Sequence, residues 1–255
     1  MRLTTAGESH GKGLFAIIEG LPAGLTVDLD EINDCLRLRQ SGYCRGARQK
    51  IESDCVEILT GVRNLKTLGS PVTLAVWNKD YENWKAYMAA EGCDESARTL
   101  TKVRPGHADL SGVKKYNHED ARTVLERASA RETAVRVAAG TVCRQLLRAL
   151  GVEITGYVKS VGKTEDEGAY KFDEIKSGRR ALLGMMSAAC ENAAKAEIDA
   201  AQEAGDTLGG VLELRVKGLK SGFGSYVSYH EKLDARLVGA LMSVQAIKGA
   251  EVGLG

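Results

Sequence analysis

No part of this chain constrains its fold more than Arg104 to Gly140, RPGHADLSGVKKYNHEDARTVLERASARETAVRVAAG. It reads as a loop carrying a histidine, then a connector, then a helix with a basic N-terminus. Ser129-Ala-Arg-Glu132 fits the capping-box pattern, in which a serine caps the N3 amide and a glutamate three residues on reaches back. Ala134, Val137, Ala138, Thr141, Val142 and Gln145 then repeat at helical spacing, and Gly151 supplies a stop. Small residues fill the first turns (Ala130, Ala134, Ala138, Ala139, Gly140), so another backbone can approach closely. Arg127 and Arg131 flank the cap. A helix N-terminus has unpaired N–H groups and partial positive charge, so arginines there make an anion site. The plainer reading is an ordinary buried helix with solvated arginines, and for the helix alone that reading is favoured. His107, in a Pro-Gly loop just upstream, shifts the balance toward a site.

Two other stretches carry chemistry-bearing residues. Near the N-terminus, Gly7-Glu8-Ser9-His10-Gly11 precedes a short strand-like run, Leu14 to Ile18. A histidine between glycines is either part of a polar turn or an acid or base that substrate can approach; the residues alone leave the two readings even. The second stretch runs from Arg37 to Lys50, with five basic residues, no acidic ones and two glycines. It fits a solvated surface loop, an RNA contact in which Tyr43 stacks a base, or a clamp for a multiply anionic small molecule. Guanidinium forks match phosphate and carboxylate bidentately.

Three strings, GESHGKG, RPGHADLSGVKKY and ERASARETAVRVAAG, closely resemble chorismate synthase, and the resemblance runs from the first residues to the last. They are long, unusual and in the family's order. The resemblance implies an α+β fold: a β-α-β sandwich with internal pseudo-symmetry. It implies a 1,4-elimination in which phosphate leaves C3 of 5-enolpyruvylshikimate 3-phosphate and a proton leaves C6, giving chorismate. It also implies reduced FMN as cofactor, reduced by NAD(P)H through a flavin reductase; the protein supplies position and electrostatics. By motif, His10 would be the acid toward the leaving phosphate, and His107 would donate to the reduced flavin. Histidine suits both tasks because its ordinary pKa lies near working pH. Arg127, Ala128, Ser129, Gln245 and Ala246 match the family's flavin-contacting strings. Arg39, Arg45 and Arg48 match its arginine-rich loop, so the clamp is the favoured reading there. They would hold the substrate's anions, with NADP phosphate as the alternative for Arg39 and Arg45. His118 and His230 match no motif and are assigned to packing or surface. A homotetramer is implied by the family alone.

Composition excludes several other classes. Thirty-five Lys and Arg against 34 Asp and Glu leave a net charge of +1, with no global pull toward nucleic acid or membrane. No uncharged apolar run is long enough to span a bilayer, and MRLTTAGESHG has no apolar signal core. Six scattered cysteines form no C-x-x-C, so zinc is not expected. Reduced thiols in a cytoplasmic protein are the natural reading.

No Pro/Ser-rich linker divides the chain, so residues 1–255 are read as one domain. A helix is expected from Val27 through Leu36, and strands over Val56–Val62 and Pro71–Trp77. Tyr81, Trp84 and Tyr87 are spaced as on a helical face, in a polar lid or connector with no catalytic group. Further expectations are a strand over Val152–Val161, helix from Phe172 to Gly205, a strand over Val211–Val216 and a helix over Leu233–Leu241. Ile18-Glu-Gly-Leu-Pro-Ala-Gly-Leu25 echoes Val216-Lys-Gly-Leu-Lys-Ser-Gly-Phe223, a weak internal repeat. In the family the string ending this chain, Ala246 to Gly255, continues into further flavin-binding segments and a GRHD-type motif. The chain alone is therefore expected to be incomplete as an enzyme, with a wet, weakly held cofactor.

Overall fold

The structure, a computed structural model, describes residues 1–44, 53–92, 94, 98–178 and 182–253. Its first sheet has four antiparallel strands in the order β1 (Arg2–Gly7), β2 (Gly13–Glu19), β6 (Val72–Trp77), β3 (Glu57–Thr60). Period-two alternation sets its buried face: Leu14, Ala16 and Ile18 on β2 point the same way as Val72, Leu74 and Val76 on β6. A small ribbon, β4 (Val62–Arg63) with β5 (Lys66–Thr67), follows β3.

Helix α1 (Leu29–Gln40) is capped by Asp28, whose carboxylate accepts from the Glu31 N–H. Helix α5 (Thr133–Ala149) packs on α1 and on the inner face of the first sheet. Ala134, Val135, Ala138, Ala139 and Val142 of α5 are fully buried with Ile32 and Leu36 of α1 and the inward residues of β2 and β6. The small side chains of α5 give the close approach expected of them. Its other neighbour is the second sheet, β8 (Thr164–Glu165), β7 (Glu153–Val161), β9 (Gly210–Lys217), so a helical layer stands between two antiparallel sheets. This is the expected α+β sandwich.

The internal repeat coincides with structure. Each copy leaves a strand, β2 or β9, through a pair of left-handed glycines: Gly20 (φ 84°) and Gly24 (φ 83°), then Gly218 (φ 85°) and Gly222 (φ 104°). Each then leads toward a helix, α1 or α8 (Leu233–Met242).

Local expectations differ from the structure in four places. β1 is an additional strand. The connector after His107 holds two helices, α3 (Asp109–Tyr116) and α4 (Arg122–Ala128). The capping box is not made: Ser129 caps a 3-10 turn over Ala130–Glu132, and α5 starts only at Thr133. Glu132 instead accepts from the Thr5 hydroxyl at 2.8 Å, a tertiary bond that outcompetes the local one. The helix expected over 172–205 is two, α6 (Phe172–Ser177) and α7 (Ala188–Glu203). The aromatic-spaced segment forms α2 (Tyr81–Met88), which has no buried residue.

Candidate active site

The loop joining β1 to β2 carries Ser9 and His10, and three elements hold it. From α4, the main-chain carbonyl of Glu126 accepts from Ser9 N–H at 2.9 Å. The Glu126 carboxylate accepts from His10 N–H at 2.8 Å, and its oxygens lie 2.8 and 3.0 Å from His10 Nδ1. From the end of β6, Asn78 donates its amide to the carbonyls of Glu8 (3.1 Å) and Gly11 (2.7 Å). From α2, the Trp84 ring stacks on the His10 imidazole, centroids 3.9 Å apart. The guanidinium groups of Arg98 and Arg122 lie 4.0 and 5.1 Å from the Trp84 ring centre.

Glu126 is buried. Burial pushes its carboxyl pKa up, but the His10 hydrogen bonds and the charges of His10 and Arg122 outweigh that and hold it below the usual value. It is therefore a carboxylate at neutral pH.

A buried polar chain braces the same loop from below. Arg131 donates Nη1 to both oxygens of Asp54 at 2.7 Å and Nε to Asn78 Oδ1 at 2.9 Å. Asp54 and Arg131 side chains are 0% and 6% exposed, so the pair is desolvated and joined by the Nη1 hydrogen bonds. Arg39, in the last turn of α1, joins it. Its Nε donates to Thr133 Oγ1 (3.0 Å), its Nη2 to the Ala130 carbonyl (3.1 Å), and its Nη1 lies 3.4 Å from Asp54.

The ERAS string sits directly above. Arg127 Nη2 donates to the carbonyl and hydroxyl of Thr5 at 3.0 and 2.8 Å. Ser129 Oγ is 3.1 Å from Ser9 Oγ. Gln245 donates its amide to the carbonyls of Ala128 (3.1 Å) and Ser129 (2.9 Å), while its Oε1 is buried without a hydrogen-bond partner among the described residues. Ala246 follows in the left-handed region, φ 68°.

His107 forms its own cluster. Asp109, buried at the start of α3, lies 2.6 Å from His107 Nδ1 and accepts from Arg104 Nε at 2.9 Å. Hydrogen bonds from Arg104 hold the Asp109 carboxyl far below the usual carboxylate range, against the opposing effect of burial. Arg104 in return is raised by Asp109. Its Nη2 sits 3.0 and 3.1 Å from the two ring nitrogens of His107.

Of the residues the sequence singled out, His10, Arg39, Arg127, Ala128, Ser129 and Gln245 are tied into one network around the β1–β2 loop, and Ala246 adjoins it in sequence. His107 is linked to it through helix packing: α3, two residues beyond it, lies on α4 with Gly112 against Val124. Arg45 and Arg48 lie outside the described residues. His230 is exposed and His118 partly so. Four members of the network were not anticipated from sequence: Asp54, Asn78, Trp84 and Glu126. An open cleft of about 430 Å³ elsewhere, between α1 and α5, is lined by Glu31, Gln145 and Arg148 and belongs to none of these groups.

Comparison with known proteins places this geometry. A family model described as chorismate synthase matches residues 1–255. The chain is similar to the chorismate synthase of Caldicellulosiruptor bescii, 48% identical over 259 residues, with 100% of this chain and 68% of that protein covered. It is 52% identical over 256 residues to the chorismate synthase of Carboxydothermus hydrogenoformans, covering 100% of this chain and 67% of the relative. A crystal structure of chorismate synthase matches with a TM-score of 0.79 at 40% identity, covering 97% of this chain and 67% of that one. The chain thus spans about two thirds of the length of these relatives.

Proposed function

This chain belongs to the chorismate synthase family, and from that premise we propose how its residues serve the family's lyase reaction on 5-enolpyruvylshikimate 3-phosphate. The observation that carries the assignment is the convergence on one loop of His10, the ERAS string and Gln245, three segments far apart in sequence. His10 is the acid toward the leaving phosphate. His107, between Arg104 and Asp109, holds a proton beside the cofactor. Arg39, Arg45 and Arg48 serve the substrate's anions. Arg39 donates to Thr133 and Ala130 and lies 3.4 Å from Asp54, which supports its placement at the clamp's inner wall.

Reduced FMN fits the residues present. Gln245 Oε1 is a buried acceptor lacking a donor among the described residues, which suits a ring N–H; Arg127, Ala128, Ser129 and Ala246 would hold the flavin with it. When bound, reduced FMN, renewed by NAD(P)H through a flavin reductase, would supply transient electron density for the elimination. The chain's own residues orient the ring substrate, neutralise its phosphate and move protons. A cytoplasmic homotetramer completes the reading. The exposed apolar residues Val211, Leu212, Leu214 and Val216 on β9 support further association. No helix among the described residues is long and apolar enough to cross a membrane.

The test is an anaerobic assay of this chain with substrate and reduced FMN. Flavin-dependent chorismate release supports the lyase reading, whereas tight FMN binding with normal turnover would overturn the expectation that this chain alone is incomplete as an enzyme. RNA retention by the Arg37–Lys50 segment that falls steeply with salt and ignores flavin would favour a binding module instead.

A further inference from the structure

We propose that Glu126 is a positioning residue that grips His10 by Nδ1 and by its main-chain N–H, so that proton exchange with the substrate runs through Nε2. The proposal rests on the reading of His10 as the acid of the elimination. Its basis is geometric. Both Glu126 oxygens lie within 3.0 Å of Nδ1, and one also accepts from the His10 N–H at 2.8 Å. The carboxylate is buried at 2% exposure, on a helix whose Glu126 carbonyl also takes the Ser9 N–H at 2.9 Å. Side chain and main chain of one residue thus fix two consecutive residues of the loop.

The tautomer follows from acceptor chemistry. A carboxylate only accepts, so the nitrogen facing it must carry hydrogen. When neutral, His10 is then an Nδ1–H imidazole, and Nε2 is the nitrogen that gains and loses a proton. Among the described residues, the charged groups tied to the ring are Glu126 at Nδ1, Arg122 through Glu126 and Trp84, and Arg98 through Trp84, with Glu8 two residues earlier on the same loop. Arg122 Nη1 is 3.3 Å from Glu126 Oε1 and adds to the His10 hydrogen bonds that favour the charged carboxylate. Trp84 covers one face of the ring at 3.9 Å and limits its rotation about the Nδ1 tether.

Glu126→Gln separates this from a merely structural role. The amide has one oxygen, and two N–H groups now compete for it. If the oxygen serves the His10 main chain, the NH₂ faces Nδ1, and the neutral ring must change to the Nε2–H form. Glu126→Asp keeps an acceptor-only group and should restore Nδ1–H. The measurement is nitrogen-15 NMR of histidine-labelled chain above the titration range of His10. We expect Nδ1–H in the wild type. In Glu126→Gln the tautomer ratio should move by roughly tenfold or more toward Nε2–H, the equivalent of one charge-assisted hydrogen bond. Recovery is expected in Glu126→Asp. A wild type in the Nε2–H form would overturn the proposal. Added 5-enolpyruvylshikimate 3-phosphate tests the underlying reading separately: it should move the Nε2 signal. Predicted tautomers with a silent Nε2 would uphold the grip of Glu126 and reject His10 as the substrate's acid.

Discussion

Replacing Asp54 by Asn should cost more stability than any other single polar change in the described core. Asp54 is fully buried, accepts two 2.7 Å bonds from Arg131 Nη1, and lies 3.4 Å from Arg39 Nη1. Asparagine keeps the shape but removes the charge, leaving the Arg131 guanidinium, 6% exposed, opposite a neutral amide. Removing one partner of a buried pair costs about 3–5 kcal/mol, because the surviving charge keeps its desolvation penalty. For a chain of this size that corresponds to a fall of roughly 6–20 °C in Tm. Urea unfolding of wild type and variant, with the m-value checked for constancy, reads the difference directly. The double variant Asp54→Asn/Arg131→Met removes both charges and should recover much of the loss. It also deprives Asn78 Oδ1 of its donor, Arg131 Nε. Stability and site order should therefore part company: the double variant is the more stable, yet its His10 loop is looser. A loss below about 1 kcal/mol in the single variant, or no recovery in the double, would refute the reasoning.

Three further outcomes are expected. Gly112→Ala would place a Cβ 2.6 Å from Val124 Cγ1, at the α3–α4 contact, and should destabilise by about 1–3 kcal/mol in thermal unfolding; an unchanged Tm would mean the two helices separate freely. Glu31 is lowered to about 2 from 4.5 by hydrogen bonds from Arg148, Gln145 and Arg144, against burial. A depressed acid stabilises above its unfolded pKa, so the wild type's advantage over Glu31→Gln should be full at neutral pH and fade from about 4.5 toward 2; a pH-independent difference would contradict this. In an otherwise complete enzyme, Arg45→Ala should weaken substrate binding by roughly 1.5–3 kcal/mol and flavin binding by less, and equal losses in parallel titrations would favour a nucleotide role.

Elements governed by local pattern were legible. β2 and β6 are short apolar runs bounded by turn residues, and α5 carries its apolar and small residues at helical spacing, so the central layers followed from composition and period. β1 did not, because RLTTAG is largely exposed at a sheet edge and has little apolar face to announce it. α3 and α4 lack side-chain N-caps, at Ala108 and Ala121, and are too short for a marked period. The capping box failed because Thr5, over a hundred residues away, captured Glu132. The same distance rule separates the site residues. His10, His107 and the ERAS string are visible as strings. Glu126, Asn78 and Asp54 act on partners 116, 67 and 77 residues distant, and no local spacing reports such contacts. Glu126 stood next to Arg127 in the recognised string, but reads there as one more charge on a helix. Trp84 was visible as part of an aromatic face; that the face lies on His10 was not.

The central claim is that the loop carrying His10 meets the substrate's phosphate in the presence of reduced flavin. Its most direct test is anaerobic titration calorimetry of 5-enolpyruvylshikimate 3-phosphate into this chain with reduced FMN, comparing wild type with His10→Ala. The account predicts saturable one-to-one binding to the wild type, weakened roughly tenfold or more by loss of a charge-assisted contact. Binding of equal strength to both proteins, or none to either, would contradict it.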